Sequence, residues 1–101
     1  MLNLLRFRRE KDAEGLTGEE VYNRYMQNVA PLIGKTGAKL VFSGEALSTI
    51  IGPTGEQWDR MLLVEYPSLG HFTQMFQSAE YREVAGDRVA ALQDSRLIAL
   101  G

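Results

Sequence analysis

No cysteine occurs anywhere in the chain, and there is only one histidine, one tryptophan and three prolines. The missing thiols exclude disulfides, thiolate nucleophiles and cysteine-bound zinc. A single histidine leaves no metal-ligand spacing to assemble. Neither charge dominates: 11 basic residues face 13 acidic ones, for a formal net charge of −2. That balance leaves no electrostatic footprint for nucleic acid, and no aromatic–basic strand signature for RNA is present. No run approaches the ~20 apolar residues that span a bilayer. The opening "MLNLLRFRRE" puts arginines after a short apolar run, the reverse of a signal peptide. The glycines of "GPTGE" precede a strand rather than a helix, so they make no phosphate loop. These absences predict a cytoplasmic protein with no cofactor, no metal, no nucleic-acid partner and no membrane partner.

What is present reads as one domain over residues 1–101, with 45% apolar and 24% charged residues. A chain this short buries only about 60–65% of its unfolded surface, so a second subunit would add much of the missing core. Residues 2–8 (LNLLRFR) read as a first strand. Thr17 with Glu20 is a capping box opening a helix. Val21, Tyr22, Tyr25, Met26, Val29, Leu32 and Ile33 then recur at spacings of three and four. Pro31 falls inside that pattern and predicts a kink or restart. Gly34 or Gly37 ends the helix. Residues 38–52 read as a long second strand with a bulge or bend at Gly44, and "GPTGEQ" as a hairpin loop. "WDRMLLVEY" is a third strand, stopped by Pro67. Ser68 and Ser78 cap two short helices, and "SRLIAL" closes the chain as a fourth strand.

The order β-α-β-β-α-β predicts a ferredoxin-like α+β fold, an antiparallel sheet with its helices on one face. A sheet with its other face in water should alternate apolar and polar residues. These strands do not. The third carries Leu62, Val64 and Tyr66 on one face but also Met61 and Leu63 on the other. The second reads as Leu40, Phe42 and Ala46 against Val41, Leu47 and Ile51, and the fourth as Ile98 and Leu100 against Leu97 and Ala99. An open apolar face predicts association, most economically an isologous homodimer packed sheet on sheet.

The spaced tyrosines and proline of "YNRYMQNVAPLI", the strand end "VEYPS", the turn "SAEY", and the arginine of "DRVAAL" before "RLIAL" carry a resemblance. The chain resembles the domain-of-unknown-function family thirteen-thirty, within the dimeric α/β barrel superfamily. One departure is Ala79, where the family usually has proline. The resemblance implies a ferredoxin-like fold and dimerisation, and no established reaction. Sister families include cofactor-independent oxygenases of aromatic polyketides, isomerases and haem-cleaving enzymes. The tryptophan and haem-ligating histidine of the last group align with Met75 and Ala85, so haem cleavage is not implied.

Among candidate site residues, His71 is the one side chain that titrates near neutrality, in the first turn of a helix whose dipole disfavours its cation. It reads as a proton carrier or, more economically, as a surface residue. Tyr25 and Tyr81 match family motif positions and join an apolar body to a polar handle, which suits a small ligand. Tyr81 is read as catalytic with His71, and Tyr25 as substrate-binding. Arg60 and Arg88 are candidate anion holders through the bidentate fork. The competing account pairs strand charges such as Arg6, Glu45, Arg60 and Glu65 with one another. Two functions follow. One is an enzyme of cofactor-independent monooxygenase or isomerase type, acting on a small aromatic or acidic metabolite. The other is a non-catalytic ligand-binding or structural homodimer. A pocket where an arginine meets a tyrosine hydroxyl favours the first; a filled interior favours the second.

Overall fold

The computed structural model describes residues 1–46 and 56–100. Its elements are β1 (Leu2–Phe7), α1 (Gly18–Lys35), β2 (Lys39–Glu45), β3 (Arg60–Glu65), α2 (Leu69–Phe76), α3 (Ala79–Ala91) and β4 (Leu92–Ile98). The strands form one sheet in the order β2-β3-β1-β4, every neighbouring pair antiparallel. The fold is therefore the ferredoxin-like α+β class that the element order predicts.

The helix starts are local in origin. Thr17 and Glu20 make the full capping box, with the Glu20 amide donating to Thr17 Oγ1 at 3.2 Å and the Thr17 amide donating to Glu20 Oε1 at 3.2 Å. The Ser68 hydroxyl accepts from the His71 amide and that of Ser78 from the Tyr81 amide, each at 3.1 Å. Pro31 lies inside α1, which continues to Lys35 without a restart. Gly37, at φ +82°, turns the chain beyond that helix.

Two boundaries depart from the sequence pattern, and both are set by pairing between strands. The register of β2 on β3 shifts between Leu40 and Phe42, not at Gly44. Leu40 therefore stands opposite Val64, while Phe42 stands opposite Leu63, so these two residues share no face. Gly44 instead leaves room for a side chain of its own strand, since a Cβ there would meet the Phe42 ring at 2.8 Å. The reading of strand over residues 47–52, and most of the hairpin loop after it, lies outside the described residues. The last strand begins at Leu92, opposite Phe7, where helical periodicity carries "VAAL" onward.

Leu5, Phe7 and Leu62 face the helices and are buried against Val21, Tyr22, Tyr25 and Val29 of α1 and Tyr81 and Ala91 of α3, and Val64 is buried on the same sheet face. Each such aliphatic side chain contributes roughly 1.5–3 kcal/mol by leaving water. Gly18 is where β1, α1 and α3 meet. Its amide donates to the Arg8 carbonyl at 3.2 Å, and an added Cβ would lie 2.5 Å from the Ala91 oxygen. The other sheet face presents Leu4, Met61, Leu63, Phe42 and Ile98, the last two 50% and 42% exposed. Arg96 lies over the Trp58 ring at 5.2 Å beside them.

Candidate functional site

Tyr22 and Tyr25 stand one turn apart on the buried side of α1, their rings 5.3 Å apart. The Ser78 cap starts α3 so that Tyr81 falls in its first turn and is buried. The hydroxyls of Tyr25 and Tyr81 are hydrogen-bonded at 3.0 Å, with the rings edge-on at 89°. Arg88 follows Tyr81 by two helical turns and so lies on the same face of α3.

A charge pair holds this arrangement in register. Arg24 donates from Nε and Nη2 to the two carboxylate oxygens of Asp87, at 2.8 and 3.0 Å. It joins α1 to α3 at the residues directly preceding Tyr25 and Arg88. The fork geometry fixes relative orientation as well as distance.

Between these helices, α2 and the sheet lies a chamber of about 40 Å³. Tyr22, Tyr25, Tyr81, Arg88 and Asn3 bring polar groups to it, and Leu62, Val64, Phe72, Met75 and Phe76 form apolar wall. Arg88 Nη2 is buried there with no hydrogen-bond partner among the described residues. A buried guanidinium nitrogen left unpaired is costly, so its retention calls for an explanation. Met1, Tyr66 and Phe72 are shared with a larger depression of about 500 Å³, which Leu69, Ala99, Leu100, Ser68 and Glu65 also line.

Burial pushes the Tyr22 phenol up to about 12, with Arg88 and Arg60 pulling the other way. Burial, and then the bond to Tyr81, hold Tyr25 well above the ordinary phenol range. Burial likewise raises Tyr66. Tyr22, Tyr25 and Tyr66 therefore keep their protons at neutral pH. No carboxylate or imidazole is among the residues lining the chamber. A guanidinium and protonated phenols supply hydrogen-bond donors for a carboxylate or a carbonyl oxygen, and no strong base.

Three of the five residues singled out from the sequence meet here: Tyr25, Tyr81 and Arg88. His71 and Arg60 stand elsewhere. His71 lies on the outer side of α2, its Nδ1 2.6 Å from the Ser68 hydroxyl, lining a surface groove with Lys35, Gln74 and Glu80. Its place in the first turn keeps it beside its own cap. Arg60 bonds Glu19 at 3.1 Å and Asn23 at 3.2 Å and lies over the Phe7 ring at 5.0 Å. Its partners come from α1, and not from the neighbouring strands that simple charge pairing suggests. The Arg24–Asp87 pair and the Phe72 and Phe76 walls have no local signature. Only the acid–base complementarity of Arg24 and Asp87 could have pointed to the pair, across 63 residues of chain. Among the described residues no group of three or more metal-ligating side chains occurs, and no helix is long and apolar enough to cross a membrane.

Comparison with known proteins agrees with this description. A protein of unknown function from Rhodopseudomonas palustris, RPA0582, superposes with a TM-score of 0.87 at 39% identity, over 96% of this chain and 75% of that one. Its methylated form gives a TM-score of 0.86 at 39% identity, over 96% and 74% of the two chains. A dimeric protein of unknown function and ferredoxin-like fold from Bacteroides fragilis shares the fold, with a TM-score of 0.58 at 15% identity, over 94% and 86%. No curated protein matches the chain. The family described as "Domain of unknown function (DUF1330)" matches residues 14–101. The resemblance borne by the tyrosine, "VEYPS" and "SAEY" motifs is thus met along most of the sequence, and the chain belongs to the DUF1330 family.

Proposed function

We propose that this protein is a homodimer that binds a small acidic molecule at Tyr25, Tyr81 and Arg88. The observation that carries the reading is the buried, unpartnered Nη2 of Arg88 beside a hydrogen-bonded pair of phenols. A guanidinium nitrogen kept in place without an internal acceptor is preorganised for an incoming oxygen. The apolar sheet face supports the dimer, as does the dimeric state of the distant relative from Bacteroides fragilis.

A thermal-shift screen of small aromatic acids and metabolites tests the site. A ligand present at a hundred times its dissociation constant stabilises by about 2.7 kcal/mol. Hits that vanish in Arg88→Met support the reading. A screen without hits, or hits indifferent to Arg88, would sink it.

A second reading rests on the same donor set. Protonated phenols and a guanidinium also stabilise the enolate of an acidic carbonyl compound, which a cofactor-independent monooxygenase-like or isomerase-like reaction requires. Among the described residues the lining offers no carboxylate or imidazole, so a substrate that ionises readily on its own fits it best. Oxygen uptake or tautomer exchange on adding an enolisable ligand separates this enzyme from a pure binding protein.

A further inference from the structure

The chamber and the depression differ in size and in chemistry, and they share a wall. The chamber has about 40 Å³. At roughly 10–15 Å³ for each water-sized group, that admits about three heavy atoms. Tyr22, Tyr25, Tyr81 and Arg88 bring donors from the α1–α3 side, while Asn3 and the Met1 ammonium, which donates to the Val64 carbonyl, stand on the sheet side. Beyond Tyr66 and Phe72 the depression opens to about 500 Å³, and Leu69, Ala99 and Leu100 make it largely apolar. The Tyr66 and Phe72 rings meet edge-on at 5.2 Å, and both line the chamber as well as the depression. Among the described residues, Glu65 brings a carboxylate to the depression, and Met1 lines it too.

From this polarity we infer that the site takes a monocarboxylic acid with an apolar body, its carboxylate in the chamber on Arg88 and its body in the depression. The inference rests on reading the chamber as a ligand site and adds the ligand's class and direction. A carboxylate has three heavy atoms, is planar, and accepts from a guanidinium and phenols together. A phosphate ester brings a bulkier tetrahedral head and two charges to a chamber with a single guanidinium. A neutral amide fills the same space but forfeits the charge-assisted bond.

The experiment is a thermal-shift titration of the intact protein with phenylacetate, phenylacetamide, phenyl phosphate and acetate. Phenylacetate is expected to raise the midpoint saturably, acetate only at much higher concentration, and the other two not at all. Arg88→Met should weaken phenylacetate on the order of tenfold or more, since a charge-assisted hydrogen bond is lost. Tyr81→Phe, which keeps the ring, should weaken it less. Leu69→Ala, which alters only the depression, should weaken phenylacetate and leave acetate unchanged. Equal response to phenylacetate and phenylacetamide, or phenylacetate binding untouched in both Arg88→Met and Tyr81→Phe, overturns the inference. If the acids fail while another class of small molecule binds through Arg88, this inference falls and the site reading stands. If nothing binds and only water occupies the chamber, both fall.

Discussion

Arg88 and the tyrosines around it set up opposite demands. An unpaired buried guanidinium nitrogen destabilises the fold, while the same nitrogen is an available donor for a ligand. Arg88→Met is therefore expected to leave stability unchanged or raise it by about 1 kcal/mol, read by urea denaturation, while abolishing acid binding. A marked loss of stability would mean that Arg88 serves the fold. The phenols give a second prediction. Folding raises the proton affinity of Tyr22, to about 12, and of Tyr25 in the same direction. Above pH 10 the unfolded chain loses these protons before the folded one does. Stability is thus fully present below pH 10 and falls as pH rises toward the folded values, by up to about 1.4 kcal/mol per pH unit for each phenol. Denaturation between pH 9 and 12 checks this, and Tyr25→Phe should flatten the slope.

Elements show where local and distant causes divide. Thr17, Ser68 and Ser78 announce their helices within three or four residues, and each cap is found where the sequence puts it. The shift at Val41 and the start of β4 at Leu92 depend on partners β3 and β1, which no local pattern contains. The site divides in the same way. Family motifs bring out Tyr25, Tyr81 and Arg88, and helical spacing alone puts the last two on one face. The Arg24–Asp87 pair that aligns them joins residues distant in sequence. His71 draws attention as the one histidine of the chain, and its cap accounts for where it sits. Gly18 carries the sharpest consequence at this scale. A methyl group there must displace backbone of β1 or α3, so Gly18→Ala should cost about 1–3 kcal/mol in denaturant unfolding. Arg24→Gln should lower stability only slightly, since the pair is partly solvated. Its larger effect should fall on ligand affinity, through the relative placement of Tyr25 and Arg88.

At the scale of the whole molecule, the sheet has one face packed on helices and one open face where Leu4, Phe42, Met61, Leu63 and Ile98 cluster among charged residues such as Arg6, Asp94 and Arg96. Phe42, Leu63 and Ile98 on that open face mark the surface proposed to meet a second copy. Phe42→Asp, placing a charge where two sheets would close, should convert a particle of twice the chain mass into monomer in sedimentation velocity. Wild-type protein sedimenting as monomer at micromolar concentration would remove the dimer from the account. The ligand site lies between the sheet and its helices, so a folded monomeric variant still retains the chamber.

The central claim is that the chamber holds the acid end of an apolar ligand. The most direct measurement is the crystal structure of the protein soaked with 4-bromophenylacetate, with bromine located by its anomalous signal. The account predicts the bromine in the depression beyond Tyr66 and Phe72, and the carboxylate on Arg88 Nη2 beside the bonded Tyr25–Tyr81 pair. Bromine inside the chamber, or a carboxylate turned outward to solvent, would contradict it.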